Sequence, residues 1–277
     1  MFDMFQLPFM VEAFAAAVIT GVLLSYLGVH VVGRGIVFVD LALGQISSLG
    51  VAFAAFIGTG LTSIPLIFTL VGALLMSFIN IRDKRLKQEA IIGILYAFAS
   101  ALTVLFISKT PHGDSDIQEV LFGNILSISW QQITNVGFVF GGIALVHIVF
   151  ARKFFKLTES FENGENHLVG IFNLWNFLFY ISIGLVIVFA VKINGVIPVF
   201  SYLIIPAVSA IMLSKKKIMV IILAVFISIL AGFLGLDFSF KYDFPAGPSI
   251  VAVLGGIFIL CAVYKILYKL VNRKAAV

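Results

Sequence analysis

Charged residues are scarce in this sequence of 277 residues, at 11% against the roughly 25% of a soluble domain. Apolar residues make up 61% of the chain, which excludes a water-soluble protein and predicts an integral membrane protein. The net charge of +5 does not indicate nucleic-acid binding, because the basic residues form short clusters between apolar segments, as membrane topology requires.

Cysteine and the motifs of nucleotide hydrolysis are also lacking. The single cysteine, Cys261, lies in an apolar run, so an intrachain disulfide and a CxxC metal site are excluded. No GxxxxGK[ST] loop occurs, so an ATP-driven function needs a separate subunit. A nucleophile elbow and an HExxH motif are absent as well, so we expect no enzyme. Residues 1–9 hold no Lys or Arg, so we expect the first apolar segment to be a permanent helix.

Nine apolar segments approach the roughly 20 residues with which an α-helix crosses a bilayer. They are residues 8–32, 36–57, 62–80, 89–109, 130–150, 170–192, 195–213, 217–236 and 247–270. We predict an all-α, polytopic transmembrane helical bundle of about nine spans, eight being the alternative, in one transmembrane domain over residues 1–277. Gly195, Pro198 and Pro206 interrupt the seventh segment, so a full span and a broken helix are both open there.

The basic residues predict the orientation of the chain. With the N-terminus outside, 15 of the 18 Lys and Arg residues fall in inner loops and the tail. Lys109, Lys192 and Lys241 are then the three outside. This bias favours an outer N-terminus, an inner C-terminus and an odd number of spans.

Few ionisable residues lie in the apolar segments, and each is costly in hydrocarbon and therefore a candidate for function. They are Glu12, His30, Asp40 and His147, with Glu89 at a helix mouth. Glu12 lies near the predicted outer interface, and both histidines lie near inner helix ends, where an ordinary interfacial role is favoured. Ligand-type residues of the outer loop, which we interpret as ordinary polar surface, are His112, Asp114, Asp116 and Glu119.

Asp40 is the strongest candidate for a substrate path. In a helix, small and polar residues follow it on the same face or beside it: Gly44, Gln45, Ser47 and Ser48. Lipid would reject these groups, so Asp40, Gln45, Ser47 and Ser48 are predicted to line a path, with Asp40 as the candidate metal ligand. The alternative is a carboxylate close enough to Arg34 and the inner surface to be hydrated.

Several segments resemble the metal ABC transporter permeases, the membrane subunits of bacterial zinc, manganese and iron uptake systems. The matching segments are residues 89–95 (EAIIGIL), 121–126 (LFGNIL), 203–207 (LIIPA) and 245–251 (PAGPSIV). The resemblance runs through nearly the whole chain. It implies transport of a divalent metal ion through a multi-pass protein of the bacterial inner (plasma) membrane. The chain itself would hold no cofactor, since ATP binds the partner.

Residues 160–171 (SFENGENHLVGI) resemble the cytoplasmic segment by which these permeases contact their ATPase. The likeness implies a coupling segment within residues 151–170, in the longest predicted inner loop. Its implied contact residues are Ser160, Phe161, Glu162, Glu165, Leu168 and Gly170. A plain solvated connector is the alternative. Further implied partners are an extracytoplasmic solute-binding protein and a second copy of this chain, or another permease chain in its place.

One position departs from the family pattern. After the first helix these permeases typically read Arg, a short apolar run and then Gly-Asp-Ala-Leu-Ser-His, with the Asp and the His on the metal path. Aligning Arg34 with that Arg places Asp40 at the Asp but Gly44 at the His. Half of the implied ligand pair is therefore missing, which leaves the metal open. An ATPase-independent secondary transporter or exporter is the alternative function, with Asp40 as its only mid-membrane acid.

Overall fold

The computed structural model describes residues 3–60, 62–79, 88–109, 123–164 and 173–274. Within these ranges the chain forms ten α-helices, two short 3₁₀ turns and no strand. The helices are α1 (Pro8–Arg34), α2 (Val39–Ile57), α3 (Ser63–Ser77), α4 (Gln88–Ile107), α5 (Trp130–Val149), α6 (Ala151–Glu162), α7 (Leu174–Asn194), α8 (Val196–Leu213), α9 (Lys217–Tyr242) and α10 (Ala246–Lys274). The 3₁₀ turns cover Asp3–Gln6 and Ile125–Ser127.

Each of the nine predicted apolar segments coincides with one helix. Among the described residues, eight helices are long and apolar enough to cross a membrane. The remaining helix of the nine, α3, is apolar but has only 15 residues. That is too few for a perpendicular crossing of the full hydrocarbon thickness. The predicted class, a polytopic helical bundle, is therefore confirmed.

The seventh apolar segment forms one continuous helix, α8, in spite of its prolines. Pro198 lies in the first turn, where a backbone N–H has no partner within the helix. Pro206 lies inside the helix without ending it. Gly195 alone separates α7 from α8, and its φ of 80° is one that glycine adopts without strain.

The chain divides into two compact units. The α10 unit takes its residues from Met1–Val29, Ile125–Ile133 and Ser201–Val277, and the α2 unit from His30–Asn124 and Thr134–Phe200. The last turn of α1, from His30 to Arg34, thus belongs to the α2 unit.

Close backbone packing organises each unit. In the α2 unit, α2 lies against α3, α4 and α7. Gly50 of α2 allows this contact, since a Cβ there would stand 2.6 Å from the Cα of Pro65. In the α10 unit, α9 lies against α10. A Cβ on Gly28 of α1 would overlap the carbonyl oxygen of Leu203 in α8. Side chains larger than hydrogen are therefore excluded at both glycines.

The stretch predicted as an inner loop begins with a helix, α6. Its apolar residues recur at helical spacing, and Phe154, Leu157 and Thr158 are buried. Arg152 and Lys153 are exposed on the opposite side. Such an amphipathic helix is stable when its apolar face is covered, and α6 packs against α7.

Candidate functional site

The polar face of α2, made of Asp40, Gln45, Ser47 and Ser48, is buried inside the protein. Each of the four side chains is at most 6% exposed. The helices α3, α4 and α7 lie against α2, and the burial of these groups keeps them away from lipid. The carboxyl group of Asp40 is removed from solvent as well, since the residue is 2% exposed.

Gly44 lies close to two valine side chains of the neighbouring helices α7 and α8. A Cβ on Gly44 would stand 3.4 Å from Cγ1 of Val196 and 3.7 Å from Cγ2 of Val191. These two valines flank the turn between α7 and α8. The hydroxyl of Ser48 donates a hydrogen bond of 2.9 Å to the Gly44 carbonyl, within the helix itself.

Asp40 has a free acceptor in this buried place. Its Oδ1 has no hydrogen-bond partner in the part of the chain that the structure describes. Asp40 lies in the first turn of α2, where the helix dipole stabilises a negative charge. A buried carboxylate oxygen without a partner is costly, so this position is suited to a cation that arrives from elsewhere.

Among the described residues, the other ionisable candidates do not join Asp40 in a metal cage. Over the described ranges, no group of three or more His, Cys, Asp and Glu side chains lies close enough to hold an ion. Glu12 and Glu89 are partly exposed. The outer-loop residues His112, Asp114, Asp116 and Glu119 lie outside the described residues.

His30 and His147 are fully buried and lie together, with ring centroids 6.3 Å apart. The guanidinium of Arg34 is close enough for its positive charge to act on both rings. That charge would repel a metal cation at this place. His147 stacks on Phe154 of α6 at 4.1 Å, with an interplanar angle of 6°.

Arg34 is the centre of a buried polar group, the Arg34 cluster, which consists of His30, Arg34, Thr158, Asn176 and Phe179. Its Nε donates to the Thr158 hydroxyl at 3.3 Å, and Nη1 donates to Oδ1 of Asn176 at 3.2 Å. The guanidinium carbon lies 3.5 Å from the ring centroid of Phe179. The cluster joins α1, α6 and α7.

The predicted ATPase-coupling residues fall at the end of α6 and beyond it. Ser160 and Phe161 are partly exposed, and Glu162 is exposed. The Phe161 ring lies 5.7 Å from the guanidinium carbon of Arg34. Three further predicted residues lie outside the described residues: Glu165, Leu168 and Gly170.

The buried polar residues that sequence reasoning missed include Thr158, Asn176 and Asp237. Thr158 and Asn176 have no sequence signal, because their partner in Arg34 is more than 100 positions away. Asp237 is 9% exposed and receives a hydrogen bond of 2.7 Å from Lys241. Asp237 and Lys241 are four residues apart, and this spacing in a helix indicates a pair of oppositely charged side chains.

The sequence profile of the ABC 3 transport family matches residues 6–265, which include every described transmembrane helix at least in part. This chain belongs to the ABC 3 transport family. The resemblance to ABC-transporter permeases that the motifs indicate is therefore confirmed, and the chain is a multi-pass membrane protein of that family.

Members with curated names are similar over most of their length. The manganese transport system membrane protein MntC of Halalkalibacterium halodurans is 27% identical, over 90% of this chain and 85% of that protein. The chelated iron transport system membrane protein YfeD of Yersinia pestis is 26% identical, over 98% and 91% respectively. PsaBC from Streptococcus pneumoniae, solved in complex with Fab, has a TM-score of 0.76 at 24% identity. The structural match covers 92% of this chain and 91% of the PsaBC chain. The fold of this ABC 3 family member is thus the fold of that protein.

Proposed function

We propose that this chain is the membrane-spanning permease subunit of an ABC transporter for divalent transition-metal ions, namely zinc, manganese or iron. A separate ATPase subunit drives the transport across the bacterial inner membrane. The observation that carries this proposal is the buried acid Asp40 in a chain of the ABC 3 transport family. Its Oδ1 has no hydrogen-bond partner among the described residues. Curated relatives that are named as manganese and iron transport proteins support the choice of substrate class.

The polar face of α2 is the proposed substrate path. Carboxylate, amide and hydroxyl oxygens suit a hydrated or partly hydrated divalent ion, and Asp40 supplies the negative charge. Gly44 stands where the family pattern has a histidine, so one nitrogen ligand is lost. The path therefore binds the ion weakly, which suits a transit site from which the ion must leave.

The proposed ATPase contact is the exposed surface of α6 together with the coupling segment that follows it to residue 170. An exposed amphipathic helix, anchored by its apolar face, presents a rigid surface to a soluble partner. A solute-binding protein would deliver the ion from the other side. A second copy of the chain would complete the transporter.

Purification of the tagged permease with its partners tests this proposal against an ATPase-independent transporter. We expect a soluble ATPase to co-purify, and we expect proteoliposomes of the complex to take up manganese, zinc or iron only when ATP is supplied. Uptake by the permease alone, driven by an ion gradient, would show that the secondary-transporter alternative is correct.

A further inference from the structure

A continuous series of hydrogen bonds in the α2 unit joins α6 to the helices around it. Thr158 of α6 bonds to Arg34 of α1, and Arg34 bonds to Asn176 of α7. Asn176 in turn donates through Nδ2 to the carbonyl of Ser77, the last residue of α3, at 3.3 Å. These bonds connect four helices at one place. The three side chains that form them, those of Arg34, Thr158 and Asn176, are each less than 9% exposed.

The hydroxyl of Thr158 is fully used in this series. Its proton goes to the Phe154 carbonyl at 3.0 Å. The oxygen then accepts from Nε of Arg34 and, at 2.9 Å, from Nδ1 of His30. A hydroxyl offers one donor and two acceptor sites, so all three sites are occupied when Nδ1 of His30 is the protonated ring nitrogen. Loss of the hydroxyl would leave two buried donors of α1 without this acceptor.

Aromatic packing and a glycine hold α6 in the same position. The ring of Phe155 lies 4.5 Å from that of His30, centroid to centroid. A Cβ on Gly33 of α1 would stand 2.7 Å from Cγ2 of Thr158 and 2.6 Å from Oε1 of Glu162. The end of α1 and the body of α6 are therefore closely packed, so a shift of one against the other would disturb this contact.

Arg34 is also joined to the polar face of α2 by a stiff turn. Arg34 ends α1, and α2 begins at Val39. The turn between them is closed by bonds from the Ile36 amide to the Val31 carbonyl and from the Val39 amide to the Ile36 carbonyl. Ile36 is itself 2% exposed. A displacement of Arg34 is therefore passed to Asp40 rather than absorbed in a flexible loop.

We propose that Arg34, held through Thr158, is a positioning residue for transport: it carries movements of α6 into the helix that bears Asp40. The inference rests on the proposed function, in which an ATPase moves α6, and it assigns the residues by which that movement reaches the substrate path. Thr158 is the residue at which the connection can be cut with least change in volume.

The test compares three variants in the complete transporter with its ATPase and solute-binding protein, reconstituted in proteoliposomes. Thr158→Val removes the hydroxyl and keeps the shape, and Thr158→Ser restores the hydroxyl. Thr103→Val is the matched control, because Thr103 is 5% exposed in α4 and its hydroxyl donates to the Ala99 carbonyl of its own helix. Each sample is measured for assembly, thermal stability, ATP hydrolysis and uptake of manganese(II), zinc(II) and iron(II), supplied separately.

We expect Thr158→Val to assemble and to hydrolyse ATP, but to lower the number of ions moved per ATP by about fivefold or more, the range of a coupling connection. Thr158→Ser and Thr103→Val should stay within about twofold of the unchanged protein on the same scale. An unchanged ratio in Thr158→Val overturns the inference, and so does a loss of assembly or stability that accounts for its lower uptake. If the unchanged complex moves no metal with ATP, the proposed function itself fails, and this inference falls with it.

Discussion

Asp40 lies in a buried helix turn, and one of its carboxyl oxygens has no hydrogen-bond partner among the residues that the structure describes. Burying a charged carboxylate costs several kcal/mol unless the charge is compensated, which makes such a residue a candidate for function. The helix dipole offsets part of the cost, because Asp40 lies in the first turn of α2. A passing divalent ion offsets the remainder in our proposal.

Asp40→Asn tests this role with almost no change in volume. We expect ATP-driven uptake of every transported ion to fall by about tenfold or more, because the amide is a weaker ligand and carries no charge. Asp237→Asn is the control, as it removes another buried carboxylate that is paired with Lys241. Uptake that stays unchanged in Asp40→Asn would show that this carboxylate does not contact the ion and would leave Gln45 and the serines as candidates.

Gly44→His tests the missing half of the implied ligand pair. A Cβ fits at Gly44, but the imidazole beyond it meets Val191 and Val196, so we pair the change with Val196→Ala to make room. The double variant should bind zinc(II) more tightly, by about tenfold or more, and release it more slowly. Equilibrium binding and single-turnover transport measure the two effects, with Val196→Ala alone as the control. Binding equal to that of the control would place position 44 away from the ion.

At the scale of the elements, α6 is the helix that was hardest to predict from the sequence. Its apolar spacing is visible in residues 151–162, yet the charges of the same stretch indicate an inner loop. The helix forms because α7 and the end of α1 cover its apolar face, and that contact is made by residues far apart in the chain.

The long apolar segments were predictable for the opposite reason. In hydrocarbon a chain satisfies its backbone hydrogen bonds only within its own helix, so length and apolarity alone determine those elements. The face of α2 that carries Asp40 and Ser47 followed from helical periodicity in the same way. The partners of Arg34 did not, because a buried hydrogen bond between distant helices leaves no local pattern.

Phe161→Asp tests whether the end of α6 contacts the ATPase. The ring is partly exposed, and a carboxylate in its place is costly in an apolar contact, so we expect the affinity for the ATPase to fall by about thirtyfold. Co-purification and uptake report the loss. The ring centroid also lies 5.7 Å from the guanidinium carbon of Arg34, so loss of the ring alone needs a control. Phe161→Leu keeps an apolar side chain and should retain both co-purification and uptake. Full co-purification of Phe161→Asp would place the contact elsewhere.

At the scale of the whole molecule, the orientation in the membrane follows from the distribution of Lys and Arg. We expect a cysteine at Ser63, the first residue of α3, to react with an impermeant reagent from outside. A cysteine at Ser214, just after α8, should react only from inside. Both are made in a Cys261→Ala background, since Cys261 is the single native thiol. Labelling in the reverse pattern would invert the topology.

The Arg34 cluster also constrains the order in which the protein is completed at the ribosome. Arg34 lies 124 residues before Thr158 and 142 residues before Asn176, so it enters the membrane long before either partner has been synthesised. Synthesis proceeds from the N-terminus, so the guanidinium of Arg34 acquires these two partners only after α6 and α7 have been made. A nascent chain that stops after α5 therefore contains neither of these two hydrogen-bond partners of Arg34.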